Sequence, residues 1–256
     1  MLSAVLFIKD ALIGTLTLGP AFLSVSTGLL YAACGIALSA YVFERPELLG
    51  ARAGGDGPAL LVERVGRAGQ RALTLTGALG VFGVCLALLI YVGTQLQLWN
   101  VRLGLLVTQV ALLLAPVLLA VLLGRLPLRE ALGLHPVSAR QLLGGAVTGL
   151  GGLSGSLLLA VFLVMPVLQP PEEYLRALQA LTPRTPLERL VMLGLAAVLP
   201  ALCEEALCRG LLLQAARRTL GDRLAVVLSG LCFAVLHLDP YRFLNTLLIG
   251  GLLAVV

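Results

Sequence analysis

Few residues in this chain could do chemistry, and they sit close together. Pro200-Ala201-Leu202-Cys203-Glu204-Glu205-Ala206-Leu207-Cys208-Arg209-Gly210 places two adjacent carboxylates and an arginine in an otherwise apolar run, and Phe233-Ala234-Val235-Leu236-His237 adds an imidazole. Charge in a lipid-solvated segment is costly; such groups face a bundle interior, pair with one another and mark functional paths. Glu205 and Arg209 are four residues apart in the favourable acid-first order, so the spacing predicts an ion pair along one helix face. Glu204 is rotated by about 100° from Glu205 and points elsewhere. Phe233 and His237 are also four apart, which sets an aromatic ring one turn from the imidazole.

A carboxylate and a neutral imidazole that meet have two uses. They can hold a divalent metal such as zinc, with Glu204 and His237 as ligands. They can also polarise a water directly, with the carboxylate as general base and no metal. Either arrangement hydrolyses a bond inside a membrane. The His-Glu-x-x-His pattern of zincins is absent. Cys203 and Cys208 flank the acidic pair, but with Cys34, Cys85 and Cys232 they make an odd number without zinc-ribbon spacing, so all five read as small buried hydrophobes.

The two motifs must be brought to one depth. Glu204 lies 13 residues before Arg217, and His237 lies 14 after Arg223. At the helical rise these are about 20 Å and about 21 Å from the same membrane face. A short turn over Thr219–Asp222 would make the two helices antiparallel neighbours, so the spacing predicts Glu204 and His237 level with each other. Pro200, just before the acidic pair, is expected to interrupt the helical ladder and leave room for water.

The elements that carry these motifs are membrane spans. The chain is 59% hydrophobic and 12% charged, with a mean hydropathy of +1.01, against about 25% charged residues in soluble domains. Seven uncharged stretches stand out: Ala11–Phe43, Ala72–Val101, Leu103–Gly124, Gln141–Pro171, Leu190–Cys203, Leu224–Leu238 and Phe243–Val256. Their continuous apolar character predicts helices and excludes barrel strands. The expected fold is all-α: a polytopic transmembrane helical bundle of about seven helices. Pro20 divides the first stretch. Glu44–Arg71 is rich in Gly and Arg and reads as an exposed linker, giving segments 1–50, 51–71 and 72–256. Trp99 and Tyr91 fit an interfacial aromatic belt. Gly144, Gly145, Gly149, Gly151, Gly152 and Gly155 suit close helix packing in the fourth span. Glu172–Leu181 reads as a short interfacial helix.

The net charge of +5 comes from 17 Arg and one Lys. Five Arg in Glu44–Arg71, three in Arg125–Arg140 and three in Arg217–Arg223 alternate with Arg-poor turns at Trp99–Arg102 and Asp239–Arg242. Placing the rich loops in the cytoplasm is self-consistent and predicts a multi-pass protein of the bacterial cytoplasmic membrane; the exception is Gln169–Arg189 on the outer side, which holds three Arg together with Glu172, Glu173 and Glu188. No basic stripe interleaved with aromatics points to nucleic acid. The expected partners are the lipid bilayer and a membrane-associated peptide or protein substrate. His135 lies in an arginine-bearing loop and reads as a loop residue.

Glu-Glu-x-x-x-Arg followed by Phe-x-x-x-His in late transmembrane helices resembles the CPBP family, the CAAX-processing endopeptidases of the Rce1 type and the bacterial Abi proteins. The resemblance implies a membrane helix bundle with the motifs around a water-filled cavity. It implies that Glu204 is the catalytic glutamate, Glu205 and Arg209 the second glutamate and the arginine, and His237 the first histidine with Phe233 ahead of it. Glu204 and His237 would activate water for peptide-bond cleavage, with or without zinc. The family's third motif, a second histidine with asparagine four residues on, has no counterpart: position 139 after His135 is Ala139, and Asn100 and Asn245 do not match. The expectation is that this motif lies beyond Val256 and that the protease domain is truncated there. Residues 1–50, ending Tyr-Val-Phe-Glu-Arg-Pro-Glu-Leu-Leu, resemble the last span of ABC-type export permeases, which implies ABC transporter components as partners. Two other readings of the same charges stand beside the protease: a permease-associated subunit whose charges line a transport path, and a catalytically dead relative that binds a partner.

Overall fold

A computed structural model describes residues 62–65, 70–134, 136–164, 166, 172, 175–176, 179 and 182–255. The permease-like segment 1–50, most of the linker, His135 and most of the interfacial helix at 172–181 lie outside the described residues. Seven helices follow a small hairpin among the described residues, and four of them are long and apolar enough to cross a membrane. The hairpin pairs β1 (Val62–Val65) with β2 (Gln70–Leu73), antiparallel, with Val62 opposite Leu73 and Val65 opposite Gln70. The helices are α1 (Leu75–Trp99), α2 (Val101–Leu123), α3 (Leu128–Ala131), α4 (Ala139–Leu163), α5 (Pro186–Leu220), α6 (Asp222–Leu236) and α7 (Pro240–Val255). The protein is an all-α, polytopic membrane protein. The hairpin falls in the stretch read from composition as linker; two four-residue strands separated by Gly66, Arg67, Ala68 and Gly69 carry too short an alternation to stand out there.

The described chain divides into two compact units. The first comprises the described residues of 62–136 and 183–229 and holds the hairpin, α1, α2, α3, α5 and the opening turns of α6. The Thr74 hydroxyl caps α1 by accepting from the Gly77 N–H, and the Asn100 side chain caps α2 by accepting from Leu103. Extended backbone at Asn100 breaks the apolar run into two helices. Gly104 lets the start of α2 lie against the backbone of Leu96 and Gln97 in α1. The core is built from Leu75, Ala78, Phe82 and Cys85 of α1, Leu113 and Val117 of α2, and Cys203, Leu207, Cys208 and Leu212 of α5. Cys85, Cys203, Cys208 and Cys232 are buried free thiols, as their apolar setting predicts.

Helix α5 differs most from its sequence signature. The apolar stretch Leu190–Cys203 is only part of a helix of 35 residues that continues through both carboxylates and Arg209. Pro200 does not end it. A wide π-type turn over Gly194–Val198 precedes the proline, and such turns re-register the hydrogen-bond ladder where a proline supplies no N–H. Gly221, at φ 78°, then reverses the chain into α6. At the arginine-rich end of this unit, Arg218 donates to the Leu73 carbonyl at 2.6 Å and to Glu63 at 3.2 Å, and Leu132 backs onto Gly210. At the opposite end of α5, Arg102 pairs with Glu188 at 3.3 Å.

The second unit comprises the described residues of 137–182 and 230–255. Ser138 and Gln141 form a reciprocal capping box at the head of α4. The close packing expected of the α4 glycines is met at Gly152, where an added Cβ would come within 3.0 Å of Leu252 of α7; around Gly144, Gly145, Gly149, Gly151 and Gly155 the described structure leaves open space. The tight glycine contact lies elsewhere, between Gly230 of α6 and Gly250–Gly251 of α7, where a Cβ on Gly230 would stand 2.9 Å from the Gly251 nitrogen.

Candidate functional site

Glu204 sits at the middle of α5, about 24 Å of helix from Glu188 and about 20 Å from Arg217. The helix runs from one polar end to the other without leaving its apolar path, so this carboxylate is held at depth by its own element. Cys203, Leu207 and Cys208 around it are fully buried. Glu204 is half-buried and points toward α2, where the Gln109 amide donates to its Oε1 at 3.1 Å. Gln109 is itself only 8% exposed.

Glu205 turns the other way, as the single-residue rotation predicts. Its Oε1 lies 3.0 Å from Nη1 of Arg209 on the same helix. The arginine side chain is 11% exposed and the glutamate 43%, so the guanidinium is the more deeply placed partner. Two wide turns, Thr108–Leu114 in α2 and Ala206–Leu212 in α5, carry Gln109 and Arg209 respectively. Such turns recur at functional sites because they re-aim side chains that a regular helix would present elsewhere. The fully buried Ser229 of α6 donates to the Cys208 carbonyl at 3.1 Å, which ties α6 to α5 one turn past Glu204.

His237 closes α6 in the second unit. Its Nδ1 is 2.9 Å from the Phe233 carbonyl oxygen, and the two rings lie 4.8 Å apart at 57°. A carbonyl only accepts, so this bond puts the proton on Nδ1 and makes Nε2 the acceptor in the neutral ring. Asp239 caps α7 through Tyr241 at 3.0 Å and lies 3.6 Å from Arg242. The structure therefore brings Glu205 to Arg209 and Phe233 to His237, as expected from spacing. Glu204 and His237 belong to different units. Among the described residues no three His, Cys, Asp or Glu side chains converge as a metal-ligand set.

Gln109 escaped sequence reasoning. Its signal was present: with Thr108 it forms a polar pair in the middle of a span whose one ionisable group is Arg102, and polar groups at that depth carry the same cost argument as the carboxylates.

Residues 186–256 match the sequence model of the type II CAAX prenyl endopeptidase Rce1-like family. Over this stretch the chain is similar to the Rce1-like family. It holds α5, α6 and α7, and with them Glu204, Glu205, Arg209, Phe233 and His237. The family is one of membrane endopeptidases by its description, and the similarity is confined to these residues. Gln109 lies outside the matched residues. No curated protein and no solved structure matches the chain.

Proposed function

We propose that the protein is an intramembrane endopeptidase that cleaves a peptide bond with a water activated by Glu204 and His237. The observation that carries the reading is Glu204 itself: a carboxylate at mid-helix in a membrane span, held by a buried amide and set in an Rce1-like segment. The spacing from Arg217 and Arg223 supports a common depth for Glu204 and His237. The substrate is a membrane-associated peptide or protein, and the family's name points to prenylated CAAX ends.

In this scheme the water oxygen attacks the scissile carbonyl carbon as one of its protons moves to the Glu204 carboxylate. The His237 imidazole, with Nδ1–H tied to the Phe233 carbonyl, shares that proton through Nε2. The proton is then delivered to the leaving nitrogen as the C–N bond breaks. Glu205 does not touch the water; its pairing with Arg209 fixes the turn that aims Glu204. If a divalent metal is bound, Glu204 and His237 would be its ligands and it would supply Lewis-acid activation of the same water.

The test uses membranes containing the protein and a fluorogenic farnesylated peptide ending in Cys-aliphatic-aliphatic-X. Glu204→Ala and His237→Ala are each expected to lower the cleavage rate by about 10²–10⁴-fold, the usual worth of a positioned acid–base group, with protein abundance unchanged. Wild-type membranes that leave the probe intact, or either variant keeping the wild-type rate, would overturn the assignment.

A further inference from the structure

The Gln109 side chain is more than a lid over Glu204. Its Nε2 faces the carboxylate and donates to Glu204 Oε1 at 3.1 Å, the end of the amide from which a carboxylate oxygen accepts. The other end, Oε1, is buried and has no hydrogen-bond partner among the described residues. A buried acceptor without a partner is costly and calls for an explanation. A leucine or methionine at 109 would fill the same place in α2 without that cost. The unmet acceptor stands on the same amide that grips Glu204, so it lies within one water's reach of the carboxylate.

We propose, building on the function above, that Gln109 is a further catalytic residue that holds the attacking water. A water has two O–H bonds. One points to the Glu204 carboxylate and is the bond that breaks. The other points to Oε1 of Gln109 and is the bond that stays. With both hydrogens engaged, the oxygen lone pair is turned toward the substrate. As the C–O bond forms, one proton passes to Glu204 and the second remains on the new hydroxyl. Collapse of the adduct breaks the C–N bond, and the proton first taken by Glu204 ends on the leaving amine. Gln109 gains and loses nothing; it supplies an acceptor for the retained proton and a donor that keeps the carboxylate in place.

The experiment measures kcat and KM for the farnesylated peptide with Gln109→Met, which keeps the shape and removes both amide atoms. The expected result is a fall in kcat of about 10- to 100-fold, the scale of a reacting group displaced by an ångström, with KM within twofold of wild type. In a Glu204→Asp background the carboxylate is already withdrawn, so the same substitution should cost much less. A kcat within twofold of wild type, or an equal loss in both backgrounds, would overturn the role. If the Gln109→Met protein does not accumulate in the membrane, Gln109→Asn, which withdraws both amide atoms by one methylene, is read by the same two criteria. A dead Glu204→Ala variant beside an unaffected Gln109→Met variant removes this inference alone, whereas an active Glu204→Ala variant removes the underlying function.

Discussion

Gly104 is where a single methyl group should reach the site from a distance. It lies in the first turn of α2 with its Cα against the last turn of α1. A Cβ there would come within 2.7 Å of the Cα and the nitrogen of Gln97 and 2.8 Å of the Leu96 carbonyl carbon. Carbon atoms rest at about 3.5–4.0 Å, so α2 must move by about 1 Å. The obstructing atoms are backbone and cannot rotate aside. Overpacking of this kind costs about 1–3 kcal/mol. Gln109 is five residues further along the same helix. A shift of that size carries its 3.1 Å bond to Glu204 past the roughly 3.5 Å at which hydrogen bonding ends. Gly104→Ala is therefore expected to lose stability and cleavage together. Gly144→Ala and Gly149→Ala in α4, where the added Cβ meets nothing within 4 Å, serve as controls and should be neutral or stabilising by up to about 1 kcal/mol through helix propensity. Denaturant unfolding in mixed micelles and cleavage of the farnesylated peptide would be measured on the same samples. A Gly104→Ala protein as stable as the controls, with a rate within twofold of wild type, would refute the coupling of this helix contact to the site.

Two more outcomes follow from the charges. Glu205→Leu leaves the 11%-exposed Arg209 guanidinium without the carboxylate 3.0 Å away, at a cost bounded by the about 3–5 kcal/mol of a broken buried pair and reduced by the exposure of Glu205 itself. Adding Arg209→Met should recover much of that loss in the same unfolding assay, and a double variant no more stable than the single would remove the pair from the account. Chelation of divalent cations separates the two readings of Glu204 and His237: loss of cleavage that added zinc restores puts a metal on these two residues, and cleavage at the wild-type rate leaves the water to the side chains alone.

Much of this protein is written in local order. Charge confined to a few positions in a continuous apolar chain forces membrane helices, because no other form satisfies the backbone in lipid. Residue spacing along a helix is set by a fixed rise and rotation, so the Glu205–Arg209 pair, the Phe233–His237 contact and the separate aim of Glu204 were all legible from numbering alone. The turn at Gly221 and the caps at Thr74 and Ser138 are local in the same sense. The tertiary structure decided which helix lies beside which. Nothing in the spacing of α5 says that α2 will be its neighbour, so Gln109, 95 residues away from Glu204 in sequence, could not be matched to it. The glycines show the same limit. Composition marked the six of α4, of which Gly152 meets Leu252, and did not mark Gly230 and Gly250, which meet α7 and α6 as closely among the described residues, because a small residue permits contact and only the packing partner makes it. Pro200 was expected to interrupt the ladder, and the wide turn before it is that interruption, while the helix runs on and keeps Glu204 at mid-helix. Local chemistry thus determined the carboxylate, its depth and its ion pair, while packing between distant segments determined the amide that holds it.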